Sequence, residues 1–422
     1  MIARLRASLK PVISYLLVGI LGSLLLVFLK LEFEESDMGR RGEVLAYDIL
    51  QWQLPSFSPK ELPVVVVDIS AKPVGEEATP RDFIRRLVEA IAKNKKGKPI
   101  AIAVDIDFSP SEDGWITPAD PVFFDSCLKI RGDTGVPVFL GMYRTKAEPP
   151  DTWLGLPKYA DLAAMIAIHK DDQRRVPIWI HANRSSERLR ALSLALAEKY
   201  PKPLPKPSKL LIPFIKGNDN ADAQYFADPQ SGFAYSDLPV NYSKFEQIYH
   251  ERLATISPNS VDEFSDRFVN KLVIIGDPKS PDDQVPIPGT NEVIGGVFVH
   301  ASATYTLVEQ PLYEFRKWVR FALDFLISIL VVIGVGHSRF LHPDRPDVWR
   351  ERQTKSIVMA MLLVVIAGIA FFRITHVLWL DFTLVLFALL LHPAVESSIH
   401  ALCRRVARVW HRVFQREAGG QQ

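Results

Sequence analysis

The chain has 422 residues, which is more than a usual single domain, and 48% of them are hydrophobic while 23% are charged. Its formal net charge is only +2, and residues 31–316 contain no basic run. The sequence therefore excludes a protein whose surface as a whole binds polyanions, and we expect no nucleic-acid partner.

The first predicted element is a membrane-spanning helix at residues 12–29. This apolar run is close to the ~20 residues that cross a bilayer. The preceding residues 1–11 carry Arg4, Arg6 and Lys10, which indicates a cytoplasmic N-terminus. No small-residue cleavage site follows the run, so we expect an uncleaved signal anchor.

Residues 31–316 predict an α/β domain with a largely parallel sheet, because short β-branched runs alternate with amphipathic segments. We expect strands at residues 64–67, 100–104, 137–140 with Gly141 as the exit, 177–180 and 268–275. We expect helices at residues 81–96, 185–200 and 296–309. Residues 217–243, rich in Asp, Asn, Gly and Ser, predict long loops.

Acidic residues follow several of these strands, and ligands gather at the carboxyl ends of parallel strands. The candidate ligand-binding residues are Asp68, Asp105, Asp107, Asp277, Asp283 and His300. One interpretation is that the carboxylates converge and bind a hard cation, or a cationic or polyhydroxyl ligand. The other is that they cap loops by accepting backbone N–H bonds, with His300 as a hydrogen-bonded packing residue. Whether a metal binds stays open.

Three further apolar runs predict membrane-spanning helices at residues 319–336, 356–372 and 377–395. The loop 337–355 and the tail 402–422 are rich in arginine, so both are expected in the cytoplasm. The connection 373–376 is so short that the last two spans form a hairpin. Both termini then lie inside and residues 31–316 lie outside. Cys127 and Cys403 are thereby separated, which excludes a disulfide framework.

Two predicted spans contain an acidic residue near the outer face, namely Asp324 and Asp381. A charge inside a bilayer is costly. These residues are either water-accessible or capped near the interface, or they form a functional relay inside the bundle.

The tail carries candidate residues for contact with the membrane or a partner: Arg404, Arg405, Arg408, Trp410 and Arg412. Basic residues beside an apolar helical stripe can lie on an anionic leaflet or dock a protein.

Four motifs occur in order: VVVVDIS at 64–70, AIAVDIDFS at 101–109, KLVIIGD at 271–277 and GVFVHAS at 296–302. Together with one leading and three trailing spans, they resemble the type-two CHASE domain, an extracellular sensory domain associated with cyclases and histidine kinases. The resemblance implies a multi-pass sensor of the bacterial inner membrane with a periplasmic domain. It normally implies a fused cytoplasmic cyclase or kinase, but only residues 402–422 follow the last predicted span. We therefore expect a stand-alone form whose signalling partner is supplied in trans.

The leading functional hypothesis is a receptor that detects an unknown signal outside and relays it through the membrane helices, with a homo-oligomer compatible with this role. One alternative is a structural subunit of a membrane complex. Another is a periplasmic metal-dependent hydrolase that uses the strand-end aspartates. The sequence contains no phosphate-binding loop, no nucleophile elbow and no His-Glu-x-x-His or Cys-x-x-Cys motif, so we expect no enzyme and no cofactor.

Overall fold

The computed structural model describes parts of residues 20–28, and residues 37–51, 61–71, 80–109, 118–143, 156–168, 174–182, 188–203, 208–215, 226–228, 233–254, 256–288, 292–341 and 346–379. The chain divides into two compact units. Residues Gln51–Tyr313 form the α/β unit, and Met1–Leu50 with Glu314–Gln422 form the helical unit.

The α/β unit is built on a five-stranded sheet, as the alternating sequence pattern predicts. Its strands are β1 (Val64–Asp68), β2 (Ala101–Asp105), β3 (Val138–Met142), β4 (Ala163–Met165) and, much later in the chain, β9 (Leu272–Gly276). All neighbouring strands are parallel, in the order β1-β9-β2-β3-β4. The late strand β9 therefore lies between the first two.

The helices of the α/β unit cover both faces of this sheet. They are α2 (Arg81–Ala92), α3 (Asp120–Thr134), α4 (Leu192–Ala197), α5 (Phe245–His250), α6 (Ser265–Phe268) and α7 (Gly296–Val308). Helices α2 and α3 share one apolar core with one set of strand residues, whereas α4, α5 and α7 share a second core with the alternate set. Because both faces are covered, the strands are continuous apolar runs, as in other buried parallel sheets.

Helix α7 is buried along its whole length, from Gly296 to Val308. The sequence predicts this helix at 296–309, and the structure confirms it. It contacts β1 and β9 on one side and α4 and α5 on the other. Its many small residues, such as Ala301 and Ala303, allow this close packing on every side.

A second, antiparallel sheet forms where the sequence predicts a helix and loops. Its strands are β5 (Arg175–Ala182), β6 (Arg188–Arg190), β7 (Phe226–Asp228) and β8 (Phe233–Pro239), in the order β6-β5-β8-β7. The predicted helix 185–200 is wrong, because Leu189 pairs with Ile180 across this sheet and only α4 remains helical. The predicted loops at 217–243 are wrong for β7 and β8, where strand pairing decides the local structure.

Smaller differences concern where elements begin and end. Gly141 is not the exit of β3 but lies within it. A Cβ at this position would lie 2.7 Å from the carbonyl oxygen of Ile106, which is too close for a side chain. Strand β9 begins at Leu272 rather than Phe268, since Asn270 has a left-handed backbone (φ 56°) between α6 and β9. A hairpin of β10 (Gln284–Pro286) and β11 (Val293–Gly295) precedes α7.

The helical unit contains α1 (Asp37–Gln51, whose last residue belongs to the α/β unit), α8 (Lys317–Leu341) and α9 (Pro346–Thr375). Helices α8 and α9 cover the predicted spans 319–336 and 356–372, and they extend into the predicted loop 337–355. Among the described residues, one stretch, Ile357–Thr375, is long and apolar enough to cross a membrane by length and composition. The described residues of 20–28 are helical.

The predicted fourth span does not begin at residue 377. His376 has a left-handed backbone (φ 56°), which ends α9, and Val377–Leu378 form a short strand, β13, as Tyr313–Glu314 form β12. The remainder of 377–395, including Asp381, and the tail 402–422 lie outside the described residues. Asp324 on α8 is buried, at 5% exposure, rather than water-accessible.

Candidate functional site

The carboxyl edge of the sheet contains a topological switch point between β9 and its neighbours. The chain leaves β1 and β2 toward the face covered by α2 and α3, and it leaves β9 toward the opposite face, covered by α7. In open parallel sheets the resulting crevice is the usual ligand position. The strand register places Gly276 of β9 between Asp68 of β1 and Asp105 of β2.

Asp105 and His300 form a deeply buried polar pair at this edge. The Oδ1 atom of Asp105 lies 3.9 Å from Nε2 of His300, and the two side chains are 6% and 1% exposed. Nε2 of His300 is also 3.2 Å from the carbonyl oxygen of Ile166, just after β4. The second ring nitrogen, Nδ1, is buried without a hydrogen-bond partner.

No described residue donates a hydrogen bond to the carboxylate of Asp105, so burial alone governs its ionisation. Burial raises the pKa of Asp105 to about 7. Burial also lowers the pKa of His300, against an opposing contribution from the Asp283 carboxylate and the bond to Ile166. His300 is therefore shifted toward its neutral form, whereas Asp105 changes between its protonated and ionised forms near neutral pH.

Asp283 joins this pair from a turn of 3-10 helix at Pro281–Asp283. Its Oδ2 accepts a 2.9 Å bond from the N–H of Gly296, the first residue of α7. A side chain at Gly296 would collide with this carboxylate, and one at Gly295 would collide with the backbone of Pro278. The two glycines thus allow the negatively charged Asp283 to lie against the helix N-terminus, where the helix dipole favours it.

The other strand-end aspartates serve as turn caps, which is one of the two interpretations that the sequence leaves open. Asp68 accepts from the N–H of Ser70 and faces Arg252 at 3.6 Å. Asp107 accepts from the N–H groups of Ser109 and Tyr143. Asp277 accepts from the N–H of Lys279. The sheet thus brings Asp105, His300 and Asp283 together, while Asp277 bonds within its own loop and Asp107 bonds its own loop and the residue after β3.

Within the described residues, no group of three or more His, Cys, Asp or Glu side chains is arranged to hold a metal ion. The predicted contact residues Arg404, Arg405, Arg408, Trp410 and Arg412 lie outside the described residues.

A second polar cluster, which the sequence reasoning missed, lies at residues 240–243. We call this segment the clasp. Asn241 is fully buried; its N–H donates to Thr306 Oγ1 at 2.8 Å and its Nδ2 donates to Gln310 Oε1 at 2.9 Å. Thr306 lies in the last turn of α7, and Gln310 follows two residues after that helix. The clasp therefore holds the end of α7 by two buried hydrogen bonds.

The same segment also holds the other end of the α/β unit. Gln51, the last residue of α1, donates through Nε2 to the carbonyl of Val240 at 3.0 Å and accepts through Oε1 from the N–H of Tyr242 at 3.1 Å. The only sequence signal for this arrangement is an Asn in a segment rich in turn residues, and nothing local identifies its distant partners.

This architecture defines the class: a doubly wound α/β domain with a polar switch-point edge, connected at both ends to long helices. The CHASE2 domain family matches residues 16–337, well over half of the 422 residues, and the chain belongs to this family. CHASE2 domains are extracellular sensory domains of signalling proteins, which supports a sensory role and is compatible with a protein that is not an enzyme. No curated protein and no solved structure matches the chain.

Proposed function

We propose that this chain is a transmembrane sensory receptor of a bacterial inner membrane, with its α/β unit outside and both termini in the cytoplasm. The signal is received at the carboxyl edge of the central sheet, and the membrane helices relay it to a cytoplasmic signalling protein. The basic loop 337–355 and the tail arginines face the cytoplasm, where they contact that protein or anionic lipid.

The observation that carries this proposal is the clasp, because one four-residue segment holds both ends of the α/β unit. Gln51 continues directly from α1, and Gln310 lies seven residues before α8 begins at Lys317. A shift of α7, which carries His300 in its second turn, therefore displaces the clasp, and the clasp also positions the end of α1. Such a connection suits a domain whose internal change must reach two membrane-proximal helices together.

The helical unit offers a second tie between the same two helices. The guanidinium of Arg320 on α8 lies 3.4 Å from the Oε1 of Glu43 on α1, with the side chains 13% and 30% exposed. A half-buried ion pair resists separation of its partners more than an exposed one does. We therefore expect α1 and α8 to move as a pair when the α/β unit changes.

Topology is tested by single-cysteine labelling. Both native cysteines are replaced, and one cysteine is placed at Leu210, which is 82% exposed in the α/β unit, or at Glu351, whose side chain is 66% exposed on α9. In intact spheroplasts, a membrane-impermeant maleimide should label L210C and spare E351C until the membrane is opened. Equal labelling of both, or the reverse order, contradicts the proposed orientation.

The relay through the clasp is tested with Gln310→Leu, which removes the acceptor of the Asn241 amide while keeping a similar volume. We expect faster hydrogen exchange at the C-terminal end of α1, because the clasp, which also bonds Gln51, loses its hydrogen bond to residue 310. The control is Gln247→Leu, which removes a solvent-exposed hydrogen bond from a half-buried glutamine to Glu251. Faster exchange confined to the end of α7 would show that the clasp does not connect the two ends.

A further inference from the structure

The pair Asp105–His300 stands out because the part of the chain that the structure describes leaves one group on each side chain without a hydrogen bond. The carboxylate of Asp105 receives none from these residues, and Nδ1 of His300 is buried among them without a partner. Buried polar groups are nearly always paired in native proteins. An exception at a switch-point edge indicates atoms that are reserved for a ligand rather than for stability.

The hydrogen bond to Ile166 decides what His300 offers. A carbonyl oxygen only accepts, so Nε2 carries the proton, and in the neutral ring Nδ1 then presents a lone pair. Asp105, when ionised, is also an acceptor only. Both unsatisfied groups therefore require a ligand that donates hydrogen bonds.

The charges around this pair favour a cation. The acidic groups at this edge are Asp283, which accepts from the first N–H of α7 and opposes the effect of burial on the pKa of His300, Asp277 directly after β9, and Asp68 at the end of β1. Two guanidinium groups of the described residues are paired at this edge, each with its own carboxylate: Arg252 lies against Asp68, and Arg81 at the start of α2 binds Asp120. An anionic ligand would meet repulsion here, whereas a positive charge would stabilise the ionised form of Asp105.

A bare divalent cation fits this set poorly. Such ions take about six oxygen ligands, and the described residues provide no group of three acidic or histidine side chains. An organic ammonium group requires only about three acceptors, which carboxylate and imidazole groups can begin to supply.

We propose that the carboxyl edge binds a small organic ammonium ion, held by the Asp105 carboxylate with His300 Nδ1 as a second acceptor. This assignment rests on the proposed sensory function and names the chemical class of its signal. Gly276 lets β9 pack closely beside Asp105, since a Cβ there would lie 2.8 Å from Val297 and 3.3 Å from the Cβ of Asp105.

Binding should depend on pH through Asp105. Its pKa of about 7 makes the carboxylate mostly ionised at pH 8 and mostly protonated at pH 6, so affinity should fall about tenfold between them. Burial lowers the pKa of His300, which favours its neutral form at both pH values.

The test uses the full chain in lipid nanodiscs, titrated calorimetrically with methylammonium and with 1,4-diaminobutane at pH 8 and pH 6. We expect saturable binding at pH 8, at least tenfold weaker binding for Asp105→Asn, and severalfold weaker binding for His300→Gln, which keeps a donor toward Ile166. Asp161→Asn is the matched control, because that carboxylate is exposed and lies away from the edge.

Absence of saturable binding at pH 8, equal affinity in Asp105→Asn, or affinity that is the same at pH 6 and pH 8 would each overturn the ammonium assignment. Binding of Ca²⁺ in place of the amines would overturn it as well. These results leave the sensory function itself standing, because the labelling and exchange experiments on topology and the clasp involve no amine.

Discussion

Replacing Asp105 by asparagine should make the α/β unit more stable at alkaline pH, although the substitution removes a charged group. Asparagine has nearly the same shape and carries no charge to desolvate. The buried carboxylate, by contrast, must lose its proton in a site where the described residues give it no hydrogen bond.

The size of the effect follows from the pKa difference between the folded and unfolded states. The folded pKa of about 7 lies above the ordinary value of 3.8, so the folded protein binds the proton more tightly. The associated stability is fully present below the unfolded value and is lost as the pH rises through about 7. At 1.36 kcal/mol for each pH unit, the loss at pH 8 is at most roughly 4 kcal/mol.

Native-state hydrogen exchange of the β2 and β9 amides, in the full chain in nanodiscs, measures this directly. Wild-type protection should decrease between pH 5 and pH 8 relative to Asp105→Asn, after correction for the intrinsic exchange rate. Asp161→Asn should follow the wild type. If wild-type and Asp105→Asn proteins show parallel pH profiles, the carboxylate is not held in the uncharged form, and the reasoning about this edge is wrong.

Three further substitutions or modifications test the packing. Gly276→Ala should destabilise the α/β unit by ~2 kcal/mol, measured by thermal unfolding, because the new Cβ meets Val297 at 2.8 Å; an unchanged melting temperature would contradict this close approach. Arg81→Leu should lower the free energy of unfolding by ~3–5 kcal/mol in the same measurement, because Asp120 then stays buried without the guanidinium. A decrease below about 1 kcal/mol would argue against a buried pair. Cys127 should react with maleimide only after unfolding, since its thiol is buried and burial raises its pKa. Fast labelling of the folded protein would refute this burial.

The parallel core of the fold was predictable because its signal is local. The runs that became β1, β2 and β9 are continuous and apolar, and strands buried on both faces are built from such runs. Helix α7 was predictable for the same reason, even though it is buried on every side. The insertion of β9 between β1 and β2 was not, because no local pattern indicates which strands become neighbours.

The antiparallel sheet shows where local patterns fail. Leu189 follows a helical spacing with Leu192 and Leu196, yet it pairs with Ile180 in a strand. The polar segment that contains β8 has the composition of a loop, and only its partner β5 makes it a strand. Strand pairing between distant segments outweighed the local preference in both places.

The candidate site was predictable as a set of residues but not as an arrangement. The sequence places six candidates after strands, in the following loop and in α7, and it leaves both turn capping and ligand binding open. Only the structure separates Asp107 and Asp277, which accept backbone N–H bonds, from the Asp105 carboxylate and His300 Nδ1, which have no hydrogen-bond partner among the described residues. The clasp was missed because Asn241, Gln51 and Gln310 are remote in sequence.

The central claim, that a change at the outer edge reaches the cytoplasmic side, is tested most directly in sealed, right-side-out vesicles. A single cysteine at Glu351 reports from inside through its labelling by a trapped maleimide, while the outer pH is stepped from 8 to 6 and the inner pH is held constant. We predict that the labelling rate changes at least twofold in the wild-type background and stays constant with Asp105→Asn. A rate that is unaffected by the outer step in both proteins, or that changes equally in both, would contradict the relay.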